Sequence, residues 1–454
     1  MRRVVQIEAP WREPTQALAV LAEEAWSLCL LSGGGGARGR WTYLAARPLR
    51  TLIVQAGDPT DPFAALAALI PAGEMLSDGP PFQGGVAGLA TYELGGRAQG
   101  LDLAPHSDWP HLACAVYPAI LAFDHQDRRL LAIGRGEDVA QAQARAQALL
   151  DALGPTTMED RADAQVLAGP MSASSGAAYE AAVAEVVSRI AAGEIFQANV
   201  ARRWTGALAA GATPYDLFAR LARESAAPFA AYLRLPGLAV VSNSPERFVA
   251  LRRTPEGLEA ETRPIKGTRP RGCDGAQDQA LAAELLASPK DRAENLMIVD
   301  LMRNDLARVC RPGSVKAPEL FAIESFANVH HLVSTVTGML QTGLGAADLV
   351  AATFPPGSIT GAPKIQAMKV IASLEPPRGP YCGSVFWAGA DGAFDSSVLI
   401  RTASCVETQD GWRVEAGAGA GLVADSQPVA ERLETEAKIS ALLRALTEPS
   451  GAAP

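Results

Sequence analysis

In FAAYLRLPGLAVVSNSPERFVALRRTPEGLEAETR (229–263), four short apolar segments follow one another with only brief turns between them. Residues 229–234, 239–243, 248–253 and 258–263 read as strands, and 197–204 reads as another just upstream. Connections this short leave no room for crossover helices, so the strands are expected to pair antiparallel. The last strand runs into Pro264-Ile265-Lys266-Gly267-Thr268. A lysine wedged between Pro264 and Gly267 sits on stiff backbone at a strand end, where it can be desolvated. Desolvation lowers an amine's pKa toward the range where it becomes a nucleophile. An ordinary turn lysine is the plain alternative.

Upstream, residues 14–26 read as a helix and 27–31 as a short strand, ending in the glycine run Gly33 to Gly36. That run lacks the strand-GxGxxG-helix context of a dinucleotide site and reads as a surface turn. Strands are expected over 52–55, 85–93 and 113–124, then an Ala-rich helix over 139–153. Residues 154–176 are rich in Pro, Gly, Ser, Thr and acids and mark a boundary between regions 1–153 and 177–446. Tyr179, Val183, Val186, Val187 and Ile190 recur at helical spacing, giving a helix over 177–191. The residues after Glu448 read as a frayed tail. The expected class is α/β (α+β), built largely on antiparallel sheet.

The chain has 454 residues, 48% hydrophobic and 20% charged, the balance of a soluble globular protein. A net charge of −9 argues against a nucleic-acid binder, which would show a basic face. No apolar run is long enough to span a membrane, and no secretory segment follows Met1-Arg2-Arg3. Six cysteines are scattered singly, which points to reduced thiols in a cytoplasm. Five histidines without an HExxH pattern make a zinc site unattractive.

Two expected helices carry acids one turn apart: Asp291 and Glu294 on 291–305, and Glu431 and Glu434 on 428–446. Solvated acidic faces are the bland reading of each. Together they suit Mg²⁺, which takes one or two carboxylates plus waters and an anionic substrate group. In PPGSITGAPK (355–364), glycines and hydroxyls before a helix start form a candidate anion cradle, though not a Walker A loop. Arg401, expected on a strand over 398–402, offers a planar fork for a carboxylate, and Tyr381 precedes another strand start. His330-His331 on a strand over 328–336 should put one ring inward and the other outward. Glu246 is a candidate proton donor, with an ion pair to Arg247 as the alternative. Gly417, Gly419 and Gly421 alternate before Leu422, suiting close backbone approach to a ligand. Lys266, Arg401 and Lys364 form a candidate cationic cluster, so a small dicarboxylate with a leaving hydroxyl would use the whole inventory.

These motifs, in this order, resemble the chorismate-utilising enzymes, and within that family the branch that forms aminodeoxychorismate. The matching blocks include GEIFQANVARR (193–203), SPERF (244–248), TRPIKGTRPRG (262–272), DRAENLMIVDLMRNDLARV (291–309), NVHHLVSTVTG (328–338), FPPGSITGAPK (354–364), YCGSV (381–385), IRTAS (400–404) and AGAGLVADSQPVAERLET (418–435). The match is densest over residues 177–446 and weaker upstream, mainly in PFQGGVAGLATYE (81–93). The resemblance implies a four-layer sandwich, two antiparallel sheets packed between helices, with the N-terminal region augmenting it. It implies that Glu294 and Glu434 bind Mg²⁺, supported by Asp291 and Glu431, beside Gly419 and Gly421. Arg401 and Tyr381 would hold the enolpyruvyl carboxylate, and His331 and Ser358 would line the pocket. Gln197 stands where isochorismate and salicylate synthases place a water-activating lysine, which disfavours hydroxide addition. Lys266 stands where anthranilate synthases typically have alanine; by resemblance it attacks ring C2 while the C4 hydroxyl leaves, protonated by Glu246, and ammonia then adds at C4. Residues 227–232 lack the Asn-Pro-Ser-Pro-Tyr stretch associated with tryptophan feedback. Nothing resembles an amidotransferase, so a separate glutamine amidotransferase subunit is implied. Anthranilate formation on the same fold, or a catalytically silent chorismate-binding protein, are the competing expectations.

Overall fold

A computed structural model describes residues 2–33, 39–154, 165–326 and 329–447. Parts of four expectations lie outside the described residues: Gly34–Gly36 of the glycine run, 155–164 of the boundary segment, Asn328, and the tail from Glu448. Among the described residues the strands form a 12-stranded and a 10-stranded sheet, and every strand pairing is antiparallel.

Period-two alternation explains the layering. Along Phe229–Leu235, Ala231 and Leu233 enter a core shared by both sheets, whereas Ala230 and Tyr232 pack against helices on the far side. In the smaller sheet, Val385 and Trp387 of Ser384–Gly389 face the shared core while Phe386 and Ala388 face the opposite helices. Each sheet is therefore apolar on both faces, and the stack is helices, sheet, sheet, helices. This is the expected four-layer sandwich.

The N-terminal region contributes to both sheets. Leu28–Leu31 pairs with Phe229–Leu235 in the larger sheet, and Gly85–Ala90 pairs with Ser384–Gly389 in the smaller. The single strand expected over 113–124 is two. Leu112–Tyr117 belongs to the smaller sheet and Ala119–Asp124 to the larger, with Pro118 between them. Proline lacks the N–H that a ladder needs, so the apolar run changes sheets there.

A second crossing positions chemistry. Leu238–Ser244 lies in the larger sheet and Arg247–Thr254 in the smaller, so Pro245-Glu246 spans the corner between them. The two acidic helices run Pro289–Ala307 and Pro428–Thr447. The Ser288 side chain accepts from the Asp291 backbone N–H and caps the first of them, with Pro289 at its first position. Among the described residues no helix is long and apolar enough to cross a membrane. All six cysteines are unpaired, five of them buried.

Candidate active site

Lys266 lies on Ile265–Pro270, which pairs with Val329–Met339. Ile265 faces Val333 and Thr268 faces His331, so the register slips between them. Lys266 and Gly267 occupy that bulge, with Gly267 at φ +84°. A Cβ on Gly267 would sit 2.8 Å from Leu285 Cδ1 and 2.9 Å from Asp291 Cβ, so a side chain there fits neither the turn nor the space. A bulge re-aims a side chain, and this one sends the lysine off the sheet into a cavity.

The cavity holds about 500 Å³. Its walls include Lys266, Glu246, Asp291, Glu294, His331, Ser358, Tyr381, Arg401, Gly419, Gly421, Glu431 and Glu434. Twelve of the thirteen residues to which the family resemblance gives a place thus converge from across the chain. The thirteenth, Gln197, is fully buried at its edge: a Cβ on Gly421 would lie 3.1 Å from Gln197 Nε2 and 3.2 Å from Lys266 Nζ. The glycine stripe of Gly411–Leu422 is what leaves this space. A Cβ at Gly417 would meet the Tyr381 ring at 2.7 Å, and one at Gly419 would meet Asn199 Oδ1 at 2.7 Å.

Burial lowers the Lys266 pKa, opposed chiefly by the field of Glu294; the surface the lysine retains faces the cavity. Burial also pushes the Glu246 carboxyl up to about 7, although Ser358 Oγ donates to its Oε1 at 2.8 Å. Arg247 does not pair with Glu246. It forms 2.8 Å ion pairs with Glu261 and Asp395 on the other side of the strand, which leaves Glu246 free to carry a proton. His331 is pushed down to about 4 by burial and then by Arg401, so it is neutral near pH 7. Its Nδ1 lies 2.9 Å from Thr268 Oγ1.

Burial raises the Glu294 pKa, and Asp291 and Glu434 add repulsion; burial and Glu434 raise Glu431. The two acidic helices therefore aim mutually repelling carboxylates into one space. Cations answer part of that charge: Lys438 lies 2.6 Å from Glu434, Arg269 3.3 Å from Asp291, and Lys290 4.0 Å from Glu294. No group of three or more His, Cys, Asp or Glu forms a closed metal cage among the described residues. An open pair of carboxylates completed by water and substrate is the arrangement Mg²⁺ accepts.

Arg401 is not on a strand. It sits at φ +52° just before Thr402–Thr408, and Cys382, beside Tyr381, is at φ +64°. Strained backbone on both sides of a pocket is affordable where the fold over-determines it. Cys382 N–H donates to Leu399 at 2.7 Å and Leu399 N–H to Gly383 at 2.9 Å, locking the two turns together. Arg401 is exposed toward solvent and the cavity, no carboxylate among the described residues answers its guanidinium, and partial desolvation by the pocket walls alone lowers its pKa. It is a cation held ready for an anionic ligand.

A family model described as chorismate binding enzyme matches residues 29–444. The chain belongs to that family. Aminodeoxychorismate synthase component 1 of Klebsiella aerogenes is 38% identical, over 97% of this chain and 98% of the relative. Anthranilate synthase component 1 of Streptomyces coelicolor is 37% identical, over 97% of this chain and 88% of the relative. The crystal structure of anthranilate synthase component I from Streptococcus pneumoniae superposes with a TM-score of 0.77 at 26% identity, covering 90% of this chain and 93% of that one.

Against this family background, three sequence expectations need correction. Lys364 is not part of the cationic cluster: its Nζ is buried 2.5 Å from Asp305 Oδ2, outside the cavity. The 355–364 run is not an anion cradle as a whole, since only Ser358 and Ile359 reach the cavity. A Cβ on Gly361 would strike the Gln197 backbone, and one on Gly357 would strike Met302 and Leu301, so these glycines serve packing. Both rings of His330-His331 are buried; His330 bridges Ser325 at 2.8 Å and Asp278 at 2.9 Å.

Sequence reasoning also missed Asn295. Its Oδ1 accepts from Ser334 Oγ at 2.5 Å and its Nδ2 reaches Leu332 O at 3.3 Å, fixing Glu294's helix to the strand beside Lys266. The only sequence signal was a polar residue on an otherwise apolar helix face. A larger cavity of about 690 Å³ lies between the sheets and is lined in part by Pro228 and Phe229, within the 227–232 segment. In its wall Arg247 pairs with Asp395 and Arg252 with Glu261, and none of the candidate catalytic residues lines it.

Proposed function

We propose that this chain converts chorismate and ammonia into 4-amino-4-deoxychorismate, a step toward 4-aminobenzoate and folate, with ammonia supplied from glutamine by a separate amidotransferase subunit. One observation carries the reading: a desolvated lysine shares a cavity with a carboxyl poised near neutrality and with the two glutamates. Identity alone separates the aminodeoxychorismate and anthranilate relatives by a single per cent, so the distinction rests on position 266.

The chemistry follows from the placement. Arg401 and Tyr381 hold the enolpyruvyl carboxylate, with His331 neutral beside them. Glu294 and Glu434, supported by Asp291 and Glu431, would hold Mg²⁺, which when bound neutralises the ring carboxylate. The Lys266 lone pair forms a bond to C2, both ring double bonds shift by one position toward C4, and the C4–O bond breaks. Glu246 gives its proton to that oxygen, which leaves as water. Ammonia then bonds to C4, both double bonds shift back, and the C2–Nζ electron pair returns to Lys266. The surplus proton on the new ammonium resets the Glu246 carboxylate. Free thiols, five of them buried, suit a reducing cytoplasm.

The purified chain, given chorismate, Mg²⁺ and an ammonium salt at alkaline pH, should form a non-aromatic product that a lyase converts to 4-aminobenzoate. Fluorescent anthranilate as the main product would refute the regiochemistry. Chorismate binding without depletion would favour the silent reading.

A further inference from the structure

Beside Lys266, one buried side-chain amide and the oxygen of a second have no hydrogen-bond partners among the described residues. Gln197 and Asn199 lie two apart on Gln197–Ala207 and so share one sheet face, on which Gly421 pairs directly with Asn199 and Gly419 with Ala201. Gln197 is 0% exposed and Asn199 7%. Neither Gln197 Oε1 and Nε2 nor Asn199 Oδ1 makes a hydrogen bond among the described residues. Leaving three buried polar atoms unsatisfied is costly, and a fold keeps such groups where something small completes them. The partner strand keeps that room open. Glycine at 421 avoids contact with both Gln197 Nε2 and Lys266 Nζ, and glycine at 419 avoids Asn199 Oδ1.

We infer that Gln197 and Asn199 form the subsite that holds ammonia for attack on the ring, which rests on the proposed amination and names the residues that position its nitrogen. Ammonia offers three N–H donors and one lone pair. Asn199 Oδ1 accepts one of those hydrogens, and the Gln197 amide, once flipped to turn its oxygen toward the space its nitrogen now faces, accepts a second, which leaves the lone pair unengaged. Neutral amides are not bases, so a water molecule held in the same place is not converted to hydroxide. Ammonia needs no such activation. The same pair of side chains therefore binds the nitrogen nucleophile and leaves the oxygen one inert. Asn199 carries the inference beyond the sequence reading, which gave Gln197 alone.

The test uses the full chain with chorismate, Mg²⁺ and ammonium chloride, varied at constant pH. Asn199→Leu removes the acceptor at similar volume, and Asn199→Ser keeps a hydroxyl. The KM for ammonia should rise about tenfold in Asn199→Leu, the loss of roughly one hydrogen bond, and recover in part in Asn199→Ser. The KM for chorismate should stay unchanged, as should formation of the Lys266 adduct without ammonia, read by intact mass. An unchanged ammonia KM, or an equal rise in both KM values, overturns the subsite. Should Asn199→Leu fail to fold, Asn199→Ala carries the same expectation and the same refutation. Wild-type protein that makes no C4-aminated product would refute the proposed function instead, which keeps the two failures apart.

Discussion

Replacing Glu246 by glutamine should trade activity for stability, and both sides of the trade follow from one buried carboxyl. Burial raises its pKa from 4.5 to about 7, so the folded protein holds this proton more tightly than the unfolded chain does. Stability contributed by that tighter hold is fully present below 4.5, declines as pH rises, and is gone above about 7, where ionisation is penalised. At about 1.4 kcal/mol per pH unit, the difference amounts to roughly 3 kcal/mol. Glutamine can still accept the Ser358 hydrogen bond but never ionises, so Glu246→Gln should abolish this part of the pH dependence. Urea unfolding at pH 5 and at pH 8 would measure most of it: the wild type loses stability between the two, and the variant loses less by about 2.5 kcal/mol. The same substitution removes the proton donor for the departing hydroxyl, a loss of about 10²- to 10⁴-fold in kcat. In the wild type, kcat at fixed free ammonia should fall as pH rises through about 7. A variant with near-normal turnover, or an unaltered stability difference between the two pH values, would refute the role given to this carboxyl.

Glu294→Gln or Glu434→Gln should weaken Mg²⁺-dependent turnover and raise the Mg²⁺ concentration needed for half-maximal rate; turnover that ignores the metal would remove these residues as its ligands. Arg401→Gln should raise the chorismate KM by about ten- to a hundredfold, the worth of a charge-assisted hydrogen bond, and a direct binding measurement showing unaltered affinity would dismiss the guanidinium as the carboxylate anchor. Asp305→Asn strands the buried Lys364 ammonium and should cost about 3–5 kcal/mol in denaturant unfolding without changing kcat of the folded fraction. Unchanged stability would mean that the pair is not buried as described.

What the sequence disclosed and what it hid divide along physical lines. The strands of 229–263 were readable because alternation and short turns are local, and all four appear within a residue or two of their expected ends. Acid pairs at i and i+3 were readable for the same reason. The bulge that aims Lys266 was not, because a register slip exists only relative to the partner strand Val329–Met339. Lys364 was misplaced because its counter-ion is 59 positions away in sequence, and burial of both groups is a tertiary fact. The change of sheet at Pro118 hid inside a continuous apolar run. The strands Arg3–Ala9, Trp41–Ala45 and Arg129–Gly136 went unread, and they form much of one end of the larger sheet. Asn199 and Asn295 looked like ordinary polar residues until their surroundings showed the amide oxygen of one without a partner and both ends of the other engaged.

The most direct check compares wild type and Lys266→Ala for the position of the new nitrogen on the ring, by mass spectrometry and absorbance after incubation with chorismate, Mg²⁺ and ammonium. Amination at C4 should be confined to the wild type, and the variant should lose it or shift it to C2, giving anthranilate. A variant that still aminates C4 at the wild-type rate would show that no bond forms between this lysine and the substrate.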